Sequence, residues 1–211
     1  MKDDPAESVL SSRLIKFIVG EKKAEYTLHS YLVAQQSPAL DVLINGEMKE
    51  AKEGCVNWEG VEEQAFLCFS QYIYTGQYEA QKLFSNNHES GSIDYWRARL
   101  LCHAHTYCFA DCYGIHELLD SSFKKLDADL KHAQQNRTVI TVMPALVKLC
   151  WPYQSPPALQ AMLLNHVVDQ IKNLWTEESF SVFLEDCPEF STALLKKIVQ
   201  RQYGLAKGEH W

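Results

Sequence analysis

The chain has 211 residues, enough for one large or two small domains, and its 46% apolar and 11% aromatic content excludes a disordered segment. A formal charge of −7 argues against a basic nucleic-acid-binding face and against attraction to an anionic membrane by charge alone. No apolar run approaches the roughly 20 residues of a membrane span, and the polar, acidic start MKDDPAESVL reads as neither a signal nor a transit peptide.

Residues 1–12 read as a tail or first turn. Residues 14–19 form an apolar run broken only by Lys16, which predicts a buried strand. Gly20-Glu21-Lys22-Lys23 is a turn, and Tyr26-Thr27-Leu28 returns as the partner strand of a hairpin. A short helix is expected over 29–36, opening on His29. Ser37-Pro38 then pairs an N-cap side chain with a proline suited to the first helical turn. Residues 39–44 are the next short helix, closed by Asn45-Gly46, a pair that tolerates left-handed backbone. Val56-Asn57-Trp58 alternates as a strand. Glu62 and Glu63 suit the positive end of a helix whose stripe is Phe66, Phe69 and Ile73, and Gly76 stops it.

Residues 80–93 are polar and read as a loop. Asp94 is the expected cap of a helix carrying Trp96, Leu100, Ala104, Tyr107 and Cys108, ended by Gly114. Ile115, Leu118, Phe123 and Leu126 mark another helix to about residue 130, with 131–138 as a linker. The remainder is helical. Residues 142–151 form one segment. Leu159, Met162, Leu163, Val167, Ile171 and Leu174 repeat as one amphipathic helix of about four turns. Thr176 is the expected cap of a helix carrying Phe180, Phe183 and Leu184. Phe190, Leu194 and Ile198 line the last helix. Trp58, Trp151 and Trp175 are expected in the core or in helix packing. The order of elements is that of an α+β fold: a small sheet flanked by a cluster of helices, then an all-helical C-terminal extension.

Seven cysteines at irregular spacing, in a chain able to build its own core, point to reduced thiols and an intracellular site, cytoplasmic or nuclear or both. Two chemical readings compete for the cysteines and histidines. Cys108, Cys112 and His116 recur every four residues, and two such side chains on one helical turn can hold zinc. Gly114 interrupts that spacing, and there is no Cys-x-x-Cys pair, so Cys108 reads as core and Cys112 as a surface thiol. A cysteine nucleophile with His103 or His105 as base would need an oxyanion hole as well. No nucleophile-elbow or P-loop pattern accompanies it. The sequence therefore points to no catalytic residues, no cofactor and no metal.

A series of motifs runs through nearly the whole chain. Ser37-Pro38-Ala39-Leu40 is followed by Met48-Lys49-Glu50-Ala51 and by Tyr72-Ile73-Tyr74-Thr75-Gly76-Gln77-Tyr78. Then come His103-Ala104-His105-Thr106-Tyr107-Cys108-Phe109-Ala110-Asp111-Cys112-Tyr113, Leu149-Cys150-Trp151 and Cys187-Pro188-Glu189-Phe190. In this order they resemble the BTB/POZ domain, and in particular the stand-alone BTB proteins of filamentous fungi. The resemblance implies a BTB/POZ domain over 13–130, after a tail at 1–12 and before a C-terminal helical region at 139–205. It also implies a protein–protein interaction module. In relatives that recruit a cullin, a hydrophobic-x-Glu motif in the Met48-x-Glu50 position contacts the cullin, which would make this chain an adaptor of a cullin–RING ubiquitin ligase. The other reading of that motif is local folding, with Glu50 capping or pairing nearby. A scaffold that oligomerises without a ligase is the alternative function.

The chain departs from the family at two places. Ser30 stands where a lysine usually follows the histidine. Arg13-Leu14 stands where Ser-Asp usually enters the first strand, at an edge that forms homodimers in many members. The resemblance thus implies protein partners, among them a cullin or a second copy, with Leu14 giving that edge no charge.

Overall fold

The computed structural model describes residues 5–81, 91–134, 138–151 and 156–204. Its contacts group the chain into two units, one of residues 1–87 with 105–122 and the other of residues 88–104 with 123–211. The architecture is mixed α+β, with one three-stranded sheet and many helices.

In the first unit, helix α1 (Pro5–Ser11) precedes β1 (Leu14–Val19) and β2 (Ala24–His29). Residues 5–11 are therefore helical rather than a tail. The hairpin pairs Leu14 with His29 and Val19 with Ala24, antiparallel. Strand β3 (Cys55–Trp58) lies parallel on the other side of β1, with Phe17 opposite Val56 and Val19 opposite Trp58, giving the order β2-β1-β3. Period-two alternation sends Ile15, Phe17 and Val19 inward, all fully buried, while Lys16 and Ile18 stay half-buried.

Helices α2 (Ser30–Ala34), α3 (Pro38–Asn45) and α4 (Lys49–Glu53) fill the connection between β2 and β3. The cap expected at Ser37 is present: its Oγ accepts the Leu40 N–H at 3.2 Å, and Pro38 opens the helix. Helix α5 (Glu63–Thr75) buries Ala65, Phe66, Cys68, Phe69, Tyr72 and Ile73, the expected stripe widened by neighbouring positions, and stops at Gly76 in left-handed backbone (φ 74°). Phe17, Trp58, Phe66, Phe69 and Phe109 form one aromatic cluster, with Phe69 and Phe109 centroids 5.1 Å apart. Burying each such ring contributes roughly 1.5–3 kcal/mol.

Helices α6 (Ile93–Tyr113) and α7 (His116–Gln134) each contribute residues to both units. Gly114, at φ 66°, separates them. Residues 131–134, expected in a linker, continue α7, because Leu130 and Ala133 keep its apolar face buried. Of the loop expected at 80–93, residues 82–90 lie outside the described residues. The cap of α6 is Ser92, whose Oγ accepts the Tyr95 N–H at 3.1 Å; Asp94 sits within the first turn instead.

The second unit continues with α8 (Thr138–Cys150), α9 (Pro157–Asp169), α10 (Ile171–Leu174), α11 (Glu178–Asp186) and α12 (Pro188–Tyr203). The four-turn helix expected across 159–174 is two helices, broken at Gln170 (φ −103°, ψ 6°). Leu159, Met162, Leu163, Val167 and Leu174 are buried even so. Thr176 is no cap: its Oγ1 donates back to the Asn173 carbonyl at 2.8 Å, and α11 starts without a side-chain cap. Trp175 is 65% exposed rather than core, whereas Trp151 packs edge-on against buried Phe190 at 4.8 Å.

Polar side chains join the helices of this unit. Asp129 on α7 takes a bidentate pair from Arg99 on α6, Nη2 to Oδ1 at 2.8 Å and Nε to Oδ2, and lies 3.0 Å from His103 Nε2. Burial alone would raise the Asp129 pKa, but the His103 and Arg99 hydrogen bonds outweigh it and hold the carboxylate below its ordinary range. Two residues back, Asp127 lies 2.8 Å from Nε2 of His166 on α9.

Candidate partner-docking loop

The residues between α3 and β3 are fixed from several sides. Gly46 closes α3, with its N–H on the Val42 carbonyl at 2.9 Å. Its backbone is extended (φ −75°, ψ −164°), not left-handed as the Asn45-Gly46 pair suggested. Glycine is needed for another reason: a Cβ there would lie 2.3 Å from the Val42 carbonyl oxygen. Met48 is extended (φ −66°, ψ 162°) and is the residue from which α4 springs, its carbonyl accepting the Lys52 N–H at 3.2 Å. Gly54 ends α4 in left-handed backbone (φ 64°), and its carbonyl takes the Lys16 N–H at 2.9 Å, which fastens the end of α4 to β1.

On this frame Met48 is 53% exposed, a large apolar side chain offered to solvent. Glu50 is half-buried in the first turn of α4, where the helix dipole favours a carboxylate. Ala51 points inward and is buried. The start of one short helix therefore presents an adaptable apolar anchor at its N-cap and a carboxylate two residues on, over a buried base.

Arg13 had no role in the sequence reading beyond its place in the altered strand entrance. Its Nη1 donates to the Ala51 carbonyl at 2.9 Å and its Nη2 to the Ile44 carbonyl. Its own carbonyl accepts the Ser30 N–H at 2.8 Å. Contacts across 31 and 38 residues leave no local signature, so no motif could have revealed them. Next to it, Leu14 opens β1 and is 57% exposed, and Leu10 on α1 is 79% exposed.

His29 is half-buried, with Nδ1 2.7 Å from the Tyr74 hydroxyl and the two rings edge-on at 5.9 Å. Two of the motif residues thus hold each other as framework.

The cysteine and histidine candidates come out separately. Gly114 divides Cys112 on α6 from His116 on α7. Among the described residues no group of three His, Cys, Asp or Glu side chains is arranged to hold a metal ion. None of the seven cysteines, all among the described residues, is joined in a disulfide. Burial, with Asp111 adding to it, pushes the Cys108 thiol up to about 11, away from a reactive thiolate. Cys112 is exposed. Nε2 of His103 is engaged with Asp129. His105 is half-buried, and burial lowers its pKa against the pull of Glu62. A cleft of about 340 Å³ beside the β1–β2 turn is lined by carboxylates, two of which are occupied: Glu59 by Lys23 and Glu63 by the Tyr26 hydroxyl.

No protein-family model matches the sequence, and no curated protein is significantly similar to it. Among the described residues no helix is long and apolar enough to cross a membrane.

Proposed function

We propose that the chain is a protein–protein interaction module of BTB type, working inside the cell, in cytoplasm or nucleus, as an adaptor that brings a substrate to a cullin–RING ubiquitin ligase. The observation that carries this reading is Met48, 53% exposed at the start of α4. It stands on a loop bounded by Gly46 and Gly54, with Glu50 two residues on. An apolar side chain held out on a fixed loop costs little ordering entropy when a partner covers it. The motif series supports the family assignment, and seven cysteines at irregular spacing support the intracellular site. The mechanism is surface complementarity without bond chemistry, over an interface on the order of 1,200–2,000 Å². The raised Cys108 pKa disfavours that thiol as a nucleophile.

The test is co-purification from the native cell. Wild type retains a cullin, and Met48→Asp combined with Glu50→Lys loses it, because a charge is placed in an apolar contact and the carboxylate is reversed. A wild type that never retains a cullin removes the adaptor reading.

A second reading, self-association as a scaffold, is favoured by Leu10 and Leu14, both exposed and four residues apart in sequence, where α1 leads into β1. Light scattering of the purified chain then gives a dimer that Leu14→Arg converts to monomer. A wild type that stays monomeric at high concentration contradicts it.

A further inference from the structure

We infer that Arg13 is the positioning residue of the Met48 loop, a side chain that sets the loop's geometry from outside the loop. The inference deepens the docking reading and rests on it for its functional meaning, but its structural content stands alone. Ile44 lies in the last turn of α3 and Ala51 in the last four residues of α4. The last four carbonyls of a helix lack partners within it and carry its negative end. The Arg13 guanidinium reaches one carbonyl from each helix, Nη1 to Ala51 and Nη2 to Ile44. The two contacts bracket the segment that presents Met48.

Only a planar fork fits this task. Its several donors are held at fixed angles, whereas a lysine offers one compact charge that cannot serve both carbonyls in the same way. Arg13 is itself anchored, through the Ser30 N–H on its carbonyl, at the junction of β2 and α2. The spacing between the ends of α3 and α4 is thereby referred to the sheet. Gly46 allows the tight return after α3, and Arg13 determines how far α4 stands from it.

The test is peptide-resolved hydrogen exchange on the full chain, comparing wild type with Arg13→Gln and Arg13→Lys. Amides at 45–53 are expected to exchange about tenfold faster in Arg13→Gln, while those of β1 and α5 keep their protection. Arg13→Lys, which keeps the charge at the helix ends without the fork, should fall between. Unchanged exchange at 45–53 in both variants overturns the inference. So does global loss of protection in both, since Arg13 would then serve folding as a whole. The docking reading is tested separately by the Met48→Asp, Glu50→Lys variant. Faster exchange at 45–53 in the Arg13 variants, in a chain whose wild type retains no cullin, leaves the positioning role standing and removes the adaptor.

Discussion

His103 shows how one buried side chain makes stability depend on pH. It is 2% exposed, and burial favours its neutral form and lowers its pKa. Asp129 pulls the other way, while Arg99 and Lys125 add to the lowering. Asp129 already has the charge of Arg99 on both its oxygens, so a proton on His103 would put a second buried positive charge beside one carboxylate. An unfolded histidine takes up a proton near pH 6.5, which the folded one resists. The stability it contributes is therefore full above that value and is lost as pH falls from about 6.5 toward the lower folded pKa. Asp129, also lowered, adds a loss at more acid pH still, below the ordinary carboxylate value. The melting temperature of wild type should accordingly fall between pH 7 and pH 5, and His103→Gln should flatten that dependence. Equal pH profiles for the two proteins would contradict the assignment. None of this could be seen in the sequence, where His103 stood out only as a candidate base and a motif residue, with no sign of Asp129 beside it.

At the scale of elements, the predicted features that held were those with a local physical cause. β1 was visible because a run of apolar residues with one lysine has few other ways to be buried. The Ser37 cap and the Gly76 stop were visible because each rests on a single residue's conformational preference. The failures came where neighbours decide. Thr176 and Asp94 have capping side chains, yet the chain places Thr176 behind a helix and prefers Ser92 at the start of α6. The break at Gln170 leaves the apolar repeat intact on both sides, so periodicity alone could not find it. Gly46 was assigned to a helix end but for the wrong reason. It meets a steric limit, the carbonyl of Val42, rather than a left-handed φ. Gly46→Ala must then push the end of α3 away, at a cost of about 1–3 kcal/mol, the range of overpacking in tight sites. Chemical denaturation should register that loss, and an unchanged midpoint would mean the loop can relax without penalty.

On the scale of the whole molecule, the mixed α+β class was legible because hairpin, helices and returning strand follow in an order that few other classes share. The grouping of contacts was not. It divides α6 and α7 between two units, and no composition change marks residue 104 or 122. The candidate site was legible in part. Met48 and Glu50 could be singled out from a motif, but not Met48's exposure, the half-burial of Glu50 or the role of Arg13. Exposure and reach depend on residues far apart in the chain. On the proposed reading the chain's chemistry is recognition, through Met48 exposed on the loop between Gly46 and Gly54.

The most direct measurement of that account is calorimetric titration of the purified chain with the N-terminal helical region of a cullin from the same cell. The account predicts saturable binding at micromolar concentration or tighter, weakened about 100-fold or more by Met48→Asp with Glu50→Lys in a variant that melts like wild type. No heat of binding from wild type, or equal affinity in both proteins, would contradict it.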